Sequence, residues 1–423
     1  MALRGSKRCG VPTYASGNKC LFPVCLKFQS TSCGEEILET NSNPPNPPAG
    51  GAGGESTPLA PREYSNRTIM VHIRENVLLA PFTVYSIGGP ARYFVEARTG
   101  EEIREAVAFG RENGVPFFIL GAGSNILVSD KGFLGIVIRV LGGSVSIEGG
   151  AFRVDAGVKM AAAAAEAASA GLAGFEWAVG IPGTVGGSVR GNAGCFGGEI
   201  RQVLESVQVL EITNHKSPTG PSPLTRPSRQ TLGRAIGQIT NKTQNPKSKT
   251  QNGFRTFSLN NSECEFGYRH SIFKAHPEWI ILSVTFSLAG GDADMIRDRI
   301  ISITRARTEK QDIGTKSCGC IFKNVSWDVA GGKESFLGRF PEYLEIVDLP
   351  NIPAAFLIDR AGLKGERAGN TVISPKHANF FVNDGGASAE DVRRLIRRVE
   401  DVVRRAYGIT LEPEIQYVGF EGN

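Results

Sequence analysis

The stretch Gly180-Ile-Pro-Gly-Thr-Val-Gly-Gly-Ser-Val-Arg-Gly-Asn-Ala-Gly194 constrains this chain more than any other. Glycine weakens the interior of a helix or a strand, so the spacing predicts a loop. Glycine also lets a backbone adopt positive φ and come close to a ligand. The run therefore reads as a wall of bare amides against a flat or anionic cofactor. A second such loop, Gly121-Ala-Gly-Ser-Asn125, lies upstream between predicted strands.

The chain has 423 residues, enough for two or three domains. Its net charge of +5 is unevenly placed. Residues 1–34 hold five basic residues and no acid, and residues 212–262 hold eight and no acid. Taking both groups from the total leaves −8 on the remainder, so no nucleic-acid partner is expected for the folded body. Residues 1–65 are expected to be a disordered extension, either an organelle transit peptide or an over-extended start. Residues 213–257 are expected to be a disordered basic insertion, because 213–252 are rich in Ser, Thr, Pro, Asn, Gln and Lys. No run of about 18 apolar residues exists, so no membrane span is predicted. Of the cysteines outside the extension, Cys195, Cys264, Cys318 and Cys320, none has zinc-ligand spacing with paired His, and no metal is expected.

The folded body is expected from about Asn76. Tyr93 to Ala97, a helix capped by Thr99-Gly-Glu-Glu102, and Val115 to Leu120 make a β-α-β unit. A dinucleotide fold would need a third glycine at Ile126 and a following helix; Leu127 to Val140 instead reads as strand, turn and strand. An alanine-rich helix covers Lys159 to Ala170. Strands are predicted at Val203–Ile212, Trp279–Phe286 and Leu411–Val418. Helices are predicted at Asp294–Lys310, with Met295, Ile296, Ile300, Ile301 and Ile303 as its apolar residues, and from Ser388-Ala-Glu-Asp391 to Gly408.

Further motifs follow in order: Asn192-Ala-Gly-Cys-Phe-Gly-Gly-Glu199, Tyr268-Arg-His-Ser271, Gly319-Cys-Ile-Phe-Lys-Asn324, Ala361-Gly-Leu-Lys-Gly365, Lys376-His-Ala-Asn379 and Leu411-Glu-Pro-Glu414. With the two glycine loops, this series resembles the UDP-N-acetylenolpyruvoylglucosamine reductase family across residues 76–420. The resemblance implies an α+β fold: a vanillyl-alcohol-oxidase-type (PCMH) FAD-binding fold in two subdomains, 76–140 and 141–289, plus a C-terminal α+β substrate domain, 290–420. It implies non-covalent FAD, NADPH as hydride donor, and reduction of a UDP-sugar enolpyruvyl ether to the lactyl ether in peptidoglycan precursor synthesis. It implies a monomer in the bacterial cytoplasm, or in the plastid stroma if residues 1–65 are a transit peptide.

Site residues follow from the same resemblance. Arg269 matches the arginine that holds the substrate carboxylate, and Glu414 the C-terminal catalytic glutamate; Glu412 shares its predicted strand face. Cys320 stands where the family usually has a serine proton donor. A thiol can fill that role while it stays protonated. The cofactor is expected on Gly121, Ala122, Gly123, Ser124 and Asn125, and on Gly180, Ile181, Pro182, Gly183, Thr184, Gly187, Ser188 and Gly194. The substrate is expected at Tyr268, Lys323, Asn324 and His377. No Tyr occurs from Arg269 to Glu342, which matches the class without a tyrosine-bearing lid. Val325 replaces the usual proline, and residues 325–352 are longer than the family pattern. A metal or redox pair at Cys318 and Cys320, another FAD oxidase of the same fold, and a non-catalytic flavin-binding protein are the alternatives.

Overall fold

Four strands build the first layer. In the computed structural model, which describes residues 71–148, 150–213, 252–312 and 314–420, β1 (Arg74–Leu78), β2 (Pro90–Ala97), β3 (Phe117–Leu120) and β5 (Phe133–Val140) form one sheet in the order β1-β2-β5-β3. β4 (Ile126–Val128) lies outside it. β5 runs parallel to both β2 and β3, and β1 is antiparallel to β2. Ile136 and Ile138 of β5 enter one apolar cluster, and Val137 between them enters another. Both faces of the strand are thus covered, as its continuous apolar run requires. The helix α1 (Gly100–Glu112) carries the predicted capping box: Thr99 accepts from the Glu102 amide at 3.2 Å and the Glu102 carboxylate accepts from the Thr99 amide at 3.2 Å. The body starts slightly earlier than Asn76, since Arg74 is paired and Val71 is buried.

The second layer is an antiparallel sheet of β6 (Val145–Glu148), β7 (Ala151–Asp155) and the strands Leu204–Ile212, Phe254–Asn260 and Trp279–Ser287. α2 (Met160–Ser169) buries Ala163, Ala164 and Ala167 against it, beside Phe152 and Phe286. Small side chains permit that close approach. The pairing of Leu204–Ile212 with Phe254–Asn260 runs to Ile212 opposite Phe254, and the Thr213 amide donates to Gly253 O at 3.0 Å. The insertion drawn at 213–257 is therefore too long at its end. Phe254 is buried and Arg255 pairs with Glu211 at 2.6 Å, so residues 254–257 are sheet. Residues 214–251 and 1–70 lie outside the described residues.

The helix Ala293–Lys310 sends Ile303 into the cluster of this second layer. By packing it belongs there, not to a C-terminal unit beginning at 290. Only Ile296 and Ile303 of its predicted apolar residues are buried, while Met295 and Ile301 face solvent. The chance run of isoleucines overstated its apolar face.

The C-terminal core is organised by the helix Ala389–Tyr407, capped by Ser388 and ended by Gly408 at φ +71°. Val392, Leu395, Ile396, Val399 and Val403 pack with Ile321, Phe322 and Phe381. Tyr85, Ile87 and Leu127, from the N-terminal part, join the same cluster. β4 pairs in parallel with Gln416–Val418. The closing strand is shorter than predicted, because Pro413 makes only an isolated bridge to Phe322. Residues 325–352 are closed by a two-residue ladder, Val325–Ser326 on Asn351–Ile352, and Phe336 and Tyr343 between them enter the C-terminal core. The extra length is thus a packed excursion.

Candidate functional site

The two glycine loops meet each other. Ser124 Oγ donates to Pro182 O at 3.0 Å, and a Cβ placed on Gly121 would stand 2.6 Å from Thr184 Oγ1. A Cβ on Gly183, at φ +131°, would stand 3.0 Å from Ser124 Oγ. The loops differ in what their amides do. Among the described residues, no protein acceptor takes the amides of residues 121–125. Of these residues only Gly123 is buried, and amides left in that state want a ligand or water. The second loop is not the bare wall expected from its glycines. Residues 185–190 form a short helix, α3 (Val185–Arg190), capped by Thr184. The amides of Val185, Gly186, Ser188, Asn192 and Ala193 are all spent on backbone carbonyls, and that of Gly187 reaches Thr184 Oγ1 at 3.4 Å. Gly186 serves helix packing, since its Cβ would stand 2.9 Å from Ala156 Cβ. The orphan amides of the first loop fit an anionic group such as a pyrophosphate.

Asn125 links the first loop to the catalytic candidates. Its Nδ2 donates to Glu414 O at 3.3 Å and its carbonyl accepts from Gln416 N at 3.0 Å. Glu414 Oε1 lies 2.8 Å from Arg269 Nε. That contact is an ion pair and not an aligned hydrogen bond, because the Nε–H finds no acceptor in line with it. Nη1 of Arg269 makes only a long bond to Gly194 O, 3.4 Å. Burial opposes the charge on Arg269, but Glu414, Tyr268 and Cys320 outweigh it and raise its pKa. The guanidinium is a permanent cation with terminal nitrogens to offer a carboxylate.

Cys320 sits in a segment clamped from two sides. Ile321 N donates to Asn379 O at 2.9 Å, Phe322 N donates to Asn379 Oδ1 at 2.9 Å, and Asn379 Nδ2 donates to Phe322 O at 2.8 Å. From the other side Glu414 N donates to Ile321 O at 2.7 Å and Lys323 N to Glu412 O at 2.9 Å. Burial, and then the charge of Glu414, push the Cys320 thiol up to about 12, against Arg269, Arg307 and a hydrogen bond with Asn379. Cys320 therefore holds its proton at neutral pH. Cys318 is buried and pushed further up, so neither thiol is poised as a thiolate ligand.

The glutamates separate cleanly. Glu412 is half exposed and paired with Lys323, whereas Glu414 is mostly covered and lies against Arg269. Tyr268 is exposed and its hydroxyl accepts from Asn324 N at 3.1 Å. Asn324 Oδ1 accepts from Ala354 N at 3.2 Å. His377 is not drawn to this group: its ring lies on Phe380, and its charged neighbours are Asp312 and Lys364.

Two residues here had escaped the sequence reading. Arg307 reaches from the helix Ala293–Lys310 to Cys195 and to the field of Cys320. A Cβ on Gly180 would stand 2.8 Å from its Nη1, so the arginine lies close over that glycine. Asn379 was visible only as the end of a motif.

Comparison with known proteins identifies the family. Residues 91–214 match the FAD binding domain, and residues 311–418 match the C-terminal domain of UDP-N-acetylenolpyruvoylglucosamine reductase. The UDP-N-acetylenolpyruvoylglucosamine reductase of Clostridium botulinum (strain Hall) is 33% identical over 342 residues, 81% of this chain and 90% of that protein. That of Synechococcus sp. (strain WH7803) is 33% identical over 353 residues, covering 82% and 94%. This chain belongs to the UDP-N-acetylenolpyruvoylglucosamine reductase family. The family fold is also that of the Thermus caldophilus MurB crystal structure, with TM-score 0.57 and 31% identity over 82% of this chain and 99% of that one. The α+β FAD-binding fold expected from the sequence is thus the one observed, and the chain is an FAD-dependent oxidoreductase of this reductase family. No helix among the described residues is long and apolar enough to cross a membrane.

The first loop has no room for a side chain at Gly123. Its φ is +63°, and a Cβ would stand 2.4 Å from Phe82 O and 2.8 Å from Thr83 Cα. The glycine is needed by the protein's own backbone, not by a ligand directly. Gly123→Val should therefore displace the loop and lose flavin, measured as flavin absorbance per mole of purified protein. Full flavin retention would show that the cofactor lies elsewhere.

Proposed function

We propose that this chain uses FAD and NADPH to reduce the enolpyruvyl ether of UDP-N-acetylglucosamine to UDP-N-acetylmuramate. The observation that carries the reading is the convergence of Arg269, Cys320 and Glu414, tied through Asn125 to a loop of unpaired amides. The pyrophosphate of FAD would rest on the amides of residues 121–125, with its ring beside residues 180–194. When bound, FAD supplies the hydride that NADPH provides.

The residues supply the rest. Hydride addition to the enolpyruvyl methylene leaves negative charge on the neighbouring carbon, shared with the carboxylate. Arg269 meets that charge with a fixed, partly desolvated cation. The Cys320 S–H gives its proton to the carbon, completing the lactyl ether. Arg269 and Arg307, which both favour the thiolate, stabilise the sulfur until solvent returns a proton. Glu414 keeps the thiol protonated before that step and holds Arg269 at the site. Lys323, Asn324 and Tyr268 line the approach to Cys320 and are assigned to the sugar nucleotide. A monomer in the cytoplasm of a bacterium, or in a plastid stroma, suffices for this chemistry.

Isotope placement tests the reading. With the enolpyruvyl sugar nucleotide and NADPH in deuterated water, the product should gain two hydrogens and carry solvent deuterium at the carbon bearing the ether oxygen. Recovery of unreduced substrate would overturn it.

A further inference from the structure

Arg269 occupies a conformation that a long L side chain avoids. Its φ is +53°, in the left-handed region. Gly267 and His270 exchange two backbone hydrogen bonds of 3.1 Å, so Tyr268 and Arg269 are the corners of a tight turn. The second corner of a turn with positive φ there normally takes glycine or asparagine. Here it must hold an arginine, and the turn is braced from outside.

The braces are specific. Asn192 Nδ2 donates to Gly267 O at 2.9 Å, and Ser271 Oγ donates to Arg190 O at 2.7 Å. Arg190 donates to Phe273 O. These fix the flanks of the turn to the end of α3. Arg269's own peptide is held by one side chain: Lys274 Nζ donates to Arg269 O at 2.7 Å. Lys274 ends the short 3-10 turn Ile272–Lys274, which folds it back over Arg269. It has no carboxylate partner within ion-pair distance among the described residues.

We propose that Lys274 is a positioning residue that holds Arg269 in this left-handed turn, with its guanidinium against Glu414. The inference rests on the reading above, in which Arg269 receives the substrate carboxylate. A charged donor on a carbonyl makes a stronger bond than a neutral one. Lys274 is faced by Lys323, Arg190 and Arg269, which repel its charge, by Glu414, which attracts it, and by His270. Burial of the ammonium and the crowding cations pull it down to about 8. The residue as a whole remains exposed, which limits how much of that shift burial alone supplies. The brace is therefore at full strength below about pH 8 and weakens as the pH rises through it.

The test uses the flavin-loaded full chain. Lys274→Met should lower the rate of flavin reoxidation by the sugar nucleotide by about 10²-fold, as an ångström of misplacement can. Flavin reduction by NADPH should not change. Lys274→Arg, which keeps a charged donor, should recover most of the rate. The wild-type reoxidation rate should fall through about pH 8, and Lys274→Arg should move that fall to higher pH. A Lys274→Met enzyme with wild-type reoxidation would overturn the proposal, as would a failure of Lys274→Arg to recover any rate. A wild-type chain inactive on the sugar nucleotide would instead refute the proposed reaction. A crystal structure of Lys274→Met then decides positioning alone. Arg269 flipped to negative φ, or more than about 4 Å from Glu414, supports the brace; an unmoved Arg269 overturns it.

Discussion

Cys320→Ala should leave flavin reduction by NADPH at the wild-type rate and slow reoxidation by the enolpyruvyl sugar nucleotide by about 10²–10⁴-fold, the usual worth of a positioned general acid. The two half-reactions separate because the proton is needed only after the hydride has moved. Stopped-flow absorbance of the flavin measures each in turn. Cys320→Ser should restore much of the rate, since the clamp by Asn379 and residues 412–414 acts on the backbone of this segment and survives the change. The thiol is half-buried and held at about 12, so no alkaline loss of activity near pH 9 should trace to it. Wild-type reoxidation in Cys320→Ala would move the proton donor to Glu414 or to a bound water.

Arg269→Met should be comparably damaging. It removes the cation that meets the developing charge and leaves the mostly covered Glu414 without its partner. Loss of one such electrostatic contact commonly costs about 10²–10³ in turnover, and the stranded carboxylate adds to it. Both kcat and the affinity for the sugar nucleotide should fall, because Arg269 touches the substrate before and during the reaction. Arg269→Lys should rescue only part, since an ammonium lacks the planar fork that suits a carboxylate. Steady-state kinetics together with calorimetric binding would show the split. A variant with unchanged affinity and turnover would remove Arg269 from the site.

Most of the fold was legible because its signals are local. The capping boxes at Thr99 and Ser388, the helix stops at Gly114 and Gly408, and the apolar face of Ala389–Tyr407 each need only a few neighbouring residues. The errors arise where distant contacts decide. Glycines 186 and 187 read as loop, yet Thr184 capping and the packing of Gly186 on Ala156 make them helix. Phe254 to Phe257 followed a basic, polar stretch, and only pairing with Leu204–Ile212 shows them to be strand. At the site, Arg269, Cys320 and Glu414 could be named from their motifs. Their neighbours Arg307 and Lys274 could not, because one comes from a different helix and the other acts through a backbone carbonyl. Glu412 and Glu414 were inseparable in sequence, and burial against Arg269 distinguishes them.

The central claim is that electrons from NADPH end on the enolpyruvyl group. The direct measurement is anaerobic NADPH consumption by the purified, flavin-containing chain, with and without the enolpyruvyl UDP-sugar. Beyond the one equivalent that reduces the flavin, the account predicts NADPH loss only when the sugar nucleotide is present, and in proportion to it. Equal consumption without it, or turnover that needs oxygen and a simple alcohol instead, would contradict the account and indicate an oxidase on the same fold.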